Sequence, residues 1–272
     1  MSETGLLPQL TTFYKAQGIY SLDFKCPCLN EHCLRAAKGI GAFRPENFVE
    51  AKATFVGSKY EDRSAGCRLL FLSLDPGEAD FREPSARTPE AVRHRTEGYK
   101  GPLPAKWAHW YWTHMLALQI LKQFNPDLHQ VGERLGGCKG VSTVAATLLF
   151  EVTPYFAHAN AVKCSLGLPG NSQAPDEMYE VCSKYLTGEL PLLCPDVIVT
   201  QGVKAAEALL NLASNVHPCS REIERSNVAT ISGHDVLWIR TSHPRNGNFF
   251  KEGGDCWKEF AKAVATFMNS KR

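Results

Sequence analysis

The apolar positions of this chain fall into short unbroken runs, separated by longer stretches with helical spacing. Arg68–Leu74 (RLLFLSL) is an almost continuous apolar run and predicts a buried strand. Lys106–Phe124 carries apolar residues at helical spacing, stops at Asn125-Pro126, and predicts a helix. Phe156–Cys164 (FAHANAVKC) alternates and predicts a second strand. Asp176–Leu190 follows Pro175, has Asp176 and Glu177 in its first turn, and predicts a helix. Pro195-Asp196 then introduces a strand at Val197–Thr200, followed by a helix at Gly202–Leu212. Asp235–Thr241 (DVLWIRT) predicts a fourth strand and Asp255–Met268 a closing helix.

A strand-helix order repeated four times, with strands apolar on both faces, predicts an α/β fold. The expected architecture is three-layer α/β/α, with a central four-stranded, mainly parallel sheet. Right-handed crossovers then place a ligand crevice at the carboxyl ends of the strands. Four segments lie there: Ser73–Asp80 with Asp75, Asn160–Cys164, Thr200–Gly202, and Thr241–Asn248 with His243. A carboxylate, an amide and an imidazole are thus expected to converge.

The chain has 272 residues, 44% of them hydrophobic and 21% charged, which excludes a disordered tail, a collagen-like fibre and a coiled coil. The element order predicts a single domain, 1–272, with an N-terminal arm (1–67) and an α/β core (68–272). No apolar run exceeds strand length, so no membrane span is expected. Met1–Leu10 has no basic segment leading into an apolar stretch, so no secretory signal is expected either. The formal net charge of +2 neither requires nor excludes a polyanionic partner.

Ten cysteines change that picture. A core-rich chain of this size has no need of five disulfides, so the count points to a reducing cytoplasm and to bound metal. Cys26, Cys28 and Cys33 crowd the N-terminus, and Cys164 and Cys182 bracket a Gly/Pro/Asn loop. Closely spaced thiolates suit an iron–sulfur cluster, with zinc as the alternative and His32 as a spare ligand. Cys67, Cys138, Cys194, Cys219 and Cys256 stand alone and read as small buried residues.

The set SLDPG, HANAVKC with a downstream Cys182, LCPDVIVTQG and TSHPRN resembles the uracil-DNA glycosylase superfamily, above all its iron–sulfur branch. The similarity runs from about Cys28 to Asn248 and is strongest over Asn160–Gly202. It implies roles for individual residues. Asp75 would activate water and stabilise the sugar cation. His243 would stabilise the departing base, and Asn160 would read the edge of an extruded base. Gly77 and Glu78 would line the pocket, with Tyr99 or Phe81 as the stacking aromatic. Cys28, Cys33, Cys164 and Cys182 would hold a 4Fe-4S cluster, with Cys26 competing for one of the first two places. SLDPG lacks the Glu of the iron–sulfur branch, and Arg245 replaces the Ser of its His-Pro-Ser loop.

The resemblance makes uracil-containing DNA, double- or single-stranded, the default substrate, in a bacterial or phage-like setting; nothing in the sequence suggests more than a monomer. A modified pyrimidine, such as hydroxymethyluracil or glucosylated hydroxymethylcytosine removed in anti-phage defence, is the alternative. A non-catalytic binder of modified DNA is another. Phe81–Lys106 carries six basic residues against three acidic and is expected to form a clamp on phosphates through Arg93 and Arg95. Arg245, Asn246 and Lys163 are the further expected DNA contacts.

Overall fold

Leu69–Ser73, strand β2, is buried at all five positions, as its apolar run requires. A computed structural model describes residues 5–19, 26–41, 43–74, 76, 83–99, 108–136, 143–167, 174–219, 225–245 and 255–271. Within them β2 is joined by β1 (Phe55–Val56), β3 (Phe156–Asn160), β4 (Val197–Gln201), β5 (Ala213–Pro218), β6 (Ser226–Ile231) and β7 (His234–Thr241). These form one mixed sheet of order β1-β3-β2-β4-β7-β6-β5. The four strands expected from the sequence are its parallel centre, β3-β2-β4-β7.

The four-stranded expectation is therefore too small. β1 adds antiparallel to β3, and β6 and β5 extend the other side antiparallel. The added strands lack the buried run that betrays a central strand: β1 is two residues long and five of the six residues of β5 are exposed. β6 and β7 are joined by Ser232-Gly233, with φ of 51° and 83°. Two consecutive positive φ values are what a tight two-residue hairpin needs.

The helices are α1 (Leu6–Ala16), α2 (Leu34–Lys38), α3 (Pro89–Gly98), α4 (Ala108–Leu121), α5 (Pro126–Gly136), α6 (Thr143–Leu149), α7 (Asp176–Leu193), α8 (Val203–Leu210) and α9 (Asp255–Ser270). One group packs around α4, with α5, α6 and α9 against it; another runs α1 on α7 and α7 on α8. β2, β3 and β4 are buried at every position, so both faces of the sheet centre are covered. Among the described residues no helix is long and apolar enough to cross a membrane.

The arm is built into this core. β1 pairs Phe55 with His158, and Leu10 and Tyr14 of α1 share one hydrophobic cluster with Leu190 of α7 and the central strands. Residues 89–98 of the expected phosphate clamp form α3. Thr88 caps it by accepting from the Ala91 N–H, and Pro89 stands at the first helical position.

Candidate active site

Strand register brings the site together. Ser73 pairs with Asn160, Leu72 with Thr200, and Gln201 with Thr241. Ser73, Asn160, Gln201 and Thr241 therefore form a row across the carboxyl ends of the parallel strands. Side chains alternate along each strand, so these four share one sheet face. It is the face of α4: Phe156, two and four residues before His158 and Asn160, packs edge-on against His114 of that helix.

A polar chain lies behind the row. The Ser73 hydroxyl donates to Gln201 Oε1 at 2.6 Å and lies 2.9 Å from His158 Nε2 and 3.4 Å from His109 Nε2. The two histidine nitrogens are 3.2 Å apart, close enough to share a single proton between them. Gln201 Nε2 donates to Thr113 Oγ1 at 2.8 Å, and the Thr113 hydroxyl donates to the His109 carbonyl at 2.8 Å. Burial, followed by the neighbouring His158, His243, Arg245 and Lys52, which all disfavour a second positive charge, holds His109 well below the usual histidine range. Burial takes His158 down to about 3. Both rings are neutral at pH 7.

His243 closes the site from the loop after β7. Its ring lies 5.1 Å from that of His109, tilted by 34°. The Arg245 backbone N–H donates to His243 Nδ1 at 3.2 Å, so the neutral ring carries its proton on Nε2. Burial and the nearby Arg245 charge push His243 down to about 4. The result is a neutral N–H donor in a site bordered by cations. Gly202, between β4 and α8, has a φ of 105° that favours glycine. A Cβ there would meet Leu74 at 3.2 Å and His243 at 3.6 Å.

Asp75, Gly77, Glu78, Phe81 and Asn246 lie outside the described residues. Asn160 is buried at the end of β3. Tyr99 packs on Phe150 at 5.4 Å, in the turn that leads into the amino end of β3. Arg93 is half-buried and gives its Nε–H to the Val56 carbonyl at 2.7 Å, along the β1 edge. Arg95 stands on the exposed side of the same helix. The expected Arg93 phosphate contact is thus replaced by a structural one, while Arg245 is exposed beside the histidines.

Lys163 is also corrected. It is fully buried, and its ammonium pairs with Glu189 Oε2 at 2.5 Å. The other Glu189 oxygen accepts from the Tyr14 hydroxyl. An uncompensated charge there would be very costly, so Lys163 serves as the buried partner of an α7 carboxylate.

Four buried thiols converge near this ion pair. Cys164 is in hydrogen-bonding contact with Cys26 and Cys33, and the charge of Cys182 acts on it. The contact with Cys164 draws Cys26 down to about 6, against the effect of burial. Burial pushes Cys182 up to about 12, although the Lys163 backbone N–H faces its sulfur. Cys33 ends a π-helical turn, Leu29–Cys33, that carries the arm past this group. The converging set is thus Cys26, Cys33, Cys164 and Cys182. Cys28 instead receives the Lys184 ammonium at 3.3 Å on its sulfur. Among the described residues no three His, Cys, Asp or Glu side chains stand in a geometry that holds a metal ion. Cys26 and Cys33 touch Cys164 directly while Cys182 acts on it without a hydrogen bond, so the set suits a thiolate-bound group by its chemistry and requires the touching sulfurs to part around it. Of the solitary cysteines, Cys67 is buried as expected, whereas Cys194, Cys219 and Cys256 are only half-buried.

Sequence reasoning placed Ser73 and Gln201 in crevice segments without giving them a role, and did not single out His109, Thr113, His158 or Lys52. A signal existed for three: Ser73, His158 and Gln201 are polar residues inside or ending otherwise apolar strands. Searches against protein-family models and curated proteins found no match for this chain, so its functional reading stands on the geometry above and on the motif resemblance.

Proposed function

We propose that the protein is a DNA glycosylase that extrudes a pyrimidine nucleotide, hydrolyses its N-glycosidic bond and leaves an abasic site. One observation carries the reading. Segments far apart in sequence, which resemble superfamily motifs, end side by side at the carboxyl ends of the parallel strands, with neutral His243 as a fixed donor.

In this mechanism Asp75, two residues past Ser73, orients a water toward the anomeric carbon. The glycosidic bond breaks with its electron pair going to the base, and the Asp75 carboxylate stabilises the cationic sugar. The water bonds to the anomeric carbon and yields its proton to Asp75, and the released base anion takes a proton from solvent. His243 Nε2–H donates to a carbonyl oxygen of the leaving base, an oxyanion-stabilising role. Asn160 supplies an amide for the base edge. The positive fields of Lys52 and Arg245, already felt by His109, also favour a departing anion. Cys26, Cys33, Cys164 and Cys182 would hold an iron–sulfur cluster, or zinc, whose chemistry is to cross-link the arm to the core.

Uracil is the default base. A modified cytosine is the second reading. Cytosine leaves less readily than uracil, and a pair of neutral imidazoles in ring contact, His109 and His243, supports a reading in which extra donors assist its departure. The test is incubation with DNAs containing uracil, hydroxymethyluracil, hydroxymethylcytosine or glucosylated hydroxymethylcytosine, followed by hot alkali. Strand scission at the modified site, lost in Asp75→Asn, is expected. Retained complexes with no base released from any of the four would replace the enzyme reading with a binding module.

A further inference from the structure

The contacts behind the crevice close into a circuit that begins and ends on one residue. From the His109 ring they pass to the Ser73 hydroxyl, to Gln201 Oε1, from Gln201 Nε2 to Thr113, and from the Thr113 hydroxyl to the His109 carbonyl. Both the side chain and the backbone of His109 are thereby tied to the ends of β2 and β4. His158 stands against the same ring, 5.4 Å between centroids and nearly perpendicular, and blocks rotation on that side. The free face of His109 lies on His243.

We propose that His109, backed by His158, Ser73 and Gln201, is a positioning residue that sets the orientation of the His243 imidazole. Its functional meaning rests on the glycosylase reading; its structural test does not. An apolar trio at Ser73, His158 and Gln201 would fill a strand-end core without the desolvation cost of buried polar groups. The circuit gives those polar groups a task. His243 is held on one edge by the Arg245 N–H and on one face by His109. Losing the second support frees the ring, and displacement of a reacting group by about 1 Å is enough to cost about 100-fold in rate. Among the described residues, the ionisable groups that act on this pair are His158, Arg245 and Lys52.

The experiment uses the full chain with 15N-labelled histidines, wild type and His109→Ala, His109→Phe and Gln201→Leu. In the free protein, wild-type His243 is expected to give one sharp Nε2–H tautomer. His109→Ala should give a broadened, mixed tautomer, and His109→Phe, which keeps a ring but no nitrogen, an intermediate state. Gln201→Leu breaks the circuit one step away from the ring and should shift the signal the same way, which covers the case in which His109→Ala misfolds. Unchanged His243 signals in folded His109→Ala or Gln201→Leu overturn the proposal. On whichever DNA the wild type cleaves, His109→Ala should slow single-turnover release about 10- to 100-fold with DNA affinity within about twofold. Affinity falling in step with rate would make His109 a direct contact and also overturn it. No release by wild type on any DNA would remove the glycosylase reading alone, and the labelled-histidine spectra would still decide this one.

Discussion

The backbone N–H of Arg245 donates to Nδ1 of His243 at 3.2 Å, while the charge of the same residue depresses the His243 pKa. One residue thus fixes which nitrogen carries the proton and keeps the ring uncharged. Arg245→Ala keeps the N–H and removes the cation. The His243 titration is expected to move up from about 4, and DNA affinity to fall, with the slope of log K against log salt reduced by about one. A histidine NMR titration and binding at several salt concentrations check both parts. An unchanged salt slope would remove Arg245 from the DNA interface.

Acid stability follows from the buried histidines. His114 and His243 are held down to about 4 and His158 to about 3, chiefly by burial, against an ordinary value near 6.5. Between about pH 6.5 and those values the unfolded chain binds more protons than the folded one, so stability falls as pH is lowered through that window. A tenfold weakening of proton binding on folding corresponds to about 1.4 kcal/mol, and the groups act together. Urea midpoints measured from pH 7.5 down to 4.5 should decline from about 6.5 onward, and less so in His114→Gln. A flat profile would contradict neutral burial.

The cysteine assignment separates two neighbours. If the converging thiols hold the cluster, anaerobically purified wild type is brown with about four irons per chain. Cys26→Ser should lose colour and iron, whereas Cys28→Ser, whose sulfur faces Lys184, should retain them. Iron analysis and visible spectra decide, and the reverse pattern would restore Cys28 as the ligand.

Glu189→Gln leaves the Lys163 ammonium buried without its counter-charge. A loss of about 3–5 kcal/mol is expected on urea unfolding. Lys163→Met should destabilise too, yet leave the intrinsic DNA affinity of the folded protein near wild type, because the ammonium is at no surface.

Gly202→Ala places a Cβ in a left-handed turn and against Leu74 and His243. A loss of about 1–3 kcal/mol is expected from backbone strain, with a displaced His243 resonance. Val203→Ala, at an exposed neighbour, should do neither.

The central strands could be read from sequence because burial on both faces leaves an unbroken apolar run, as in Leu69–Leu72 and Val197–Val199. Helix α3 carried a readable start at Thr88-Pro89-Glu90, hidden by the charged run from Arg93 to Glu97. β5 had no comparable signal, since its stability comes from pairing with β6 rather than from burial. His243 and Asn160 were legible through their motifs and strand-end positions. The circuit through His109 was not, because no local pattern says that a histidine in the first turn of α4 meets a serine ending β2. Lys163 misled for the same reason: its partner Glu189 lies on a different element.

The two-residue turn Ser232-Gly233 opens β7, and His243 lies just beyond the other end of that eight-residue strand. At about 3.3 Å per residue, roughly 25 Å of strand separates them. A dye or a resin attached at this hairpin tip would leave the crevice clear for the proposed DNA substrate. The protein therefore carries its own attachment point for single-molecule work, at a site where a cysteine at Ser232 would be exposed.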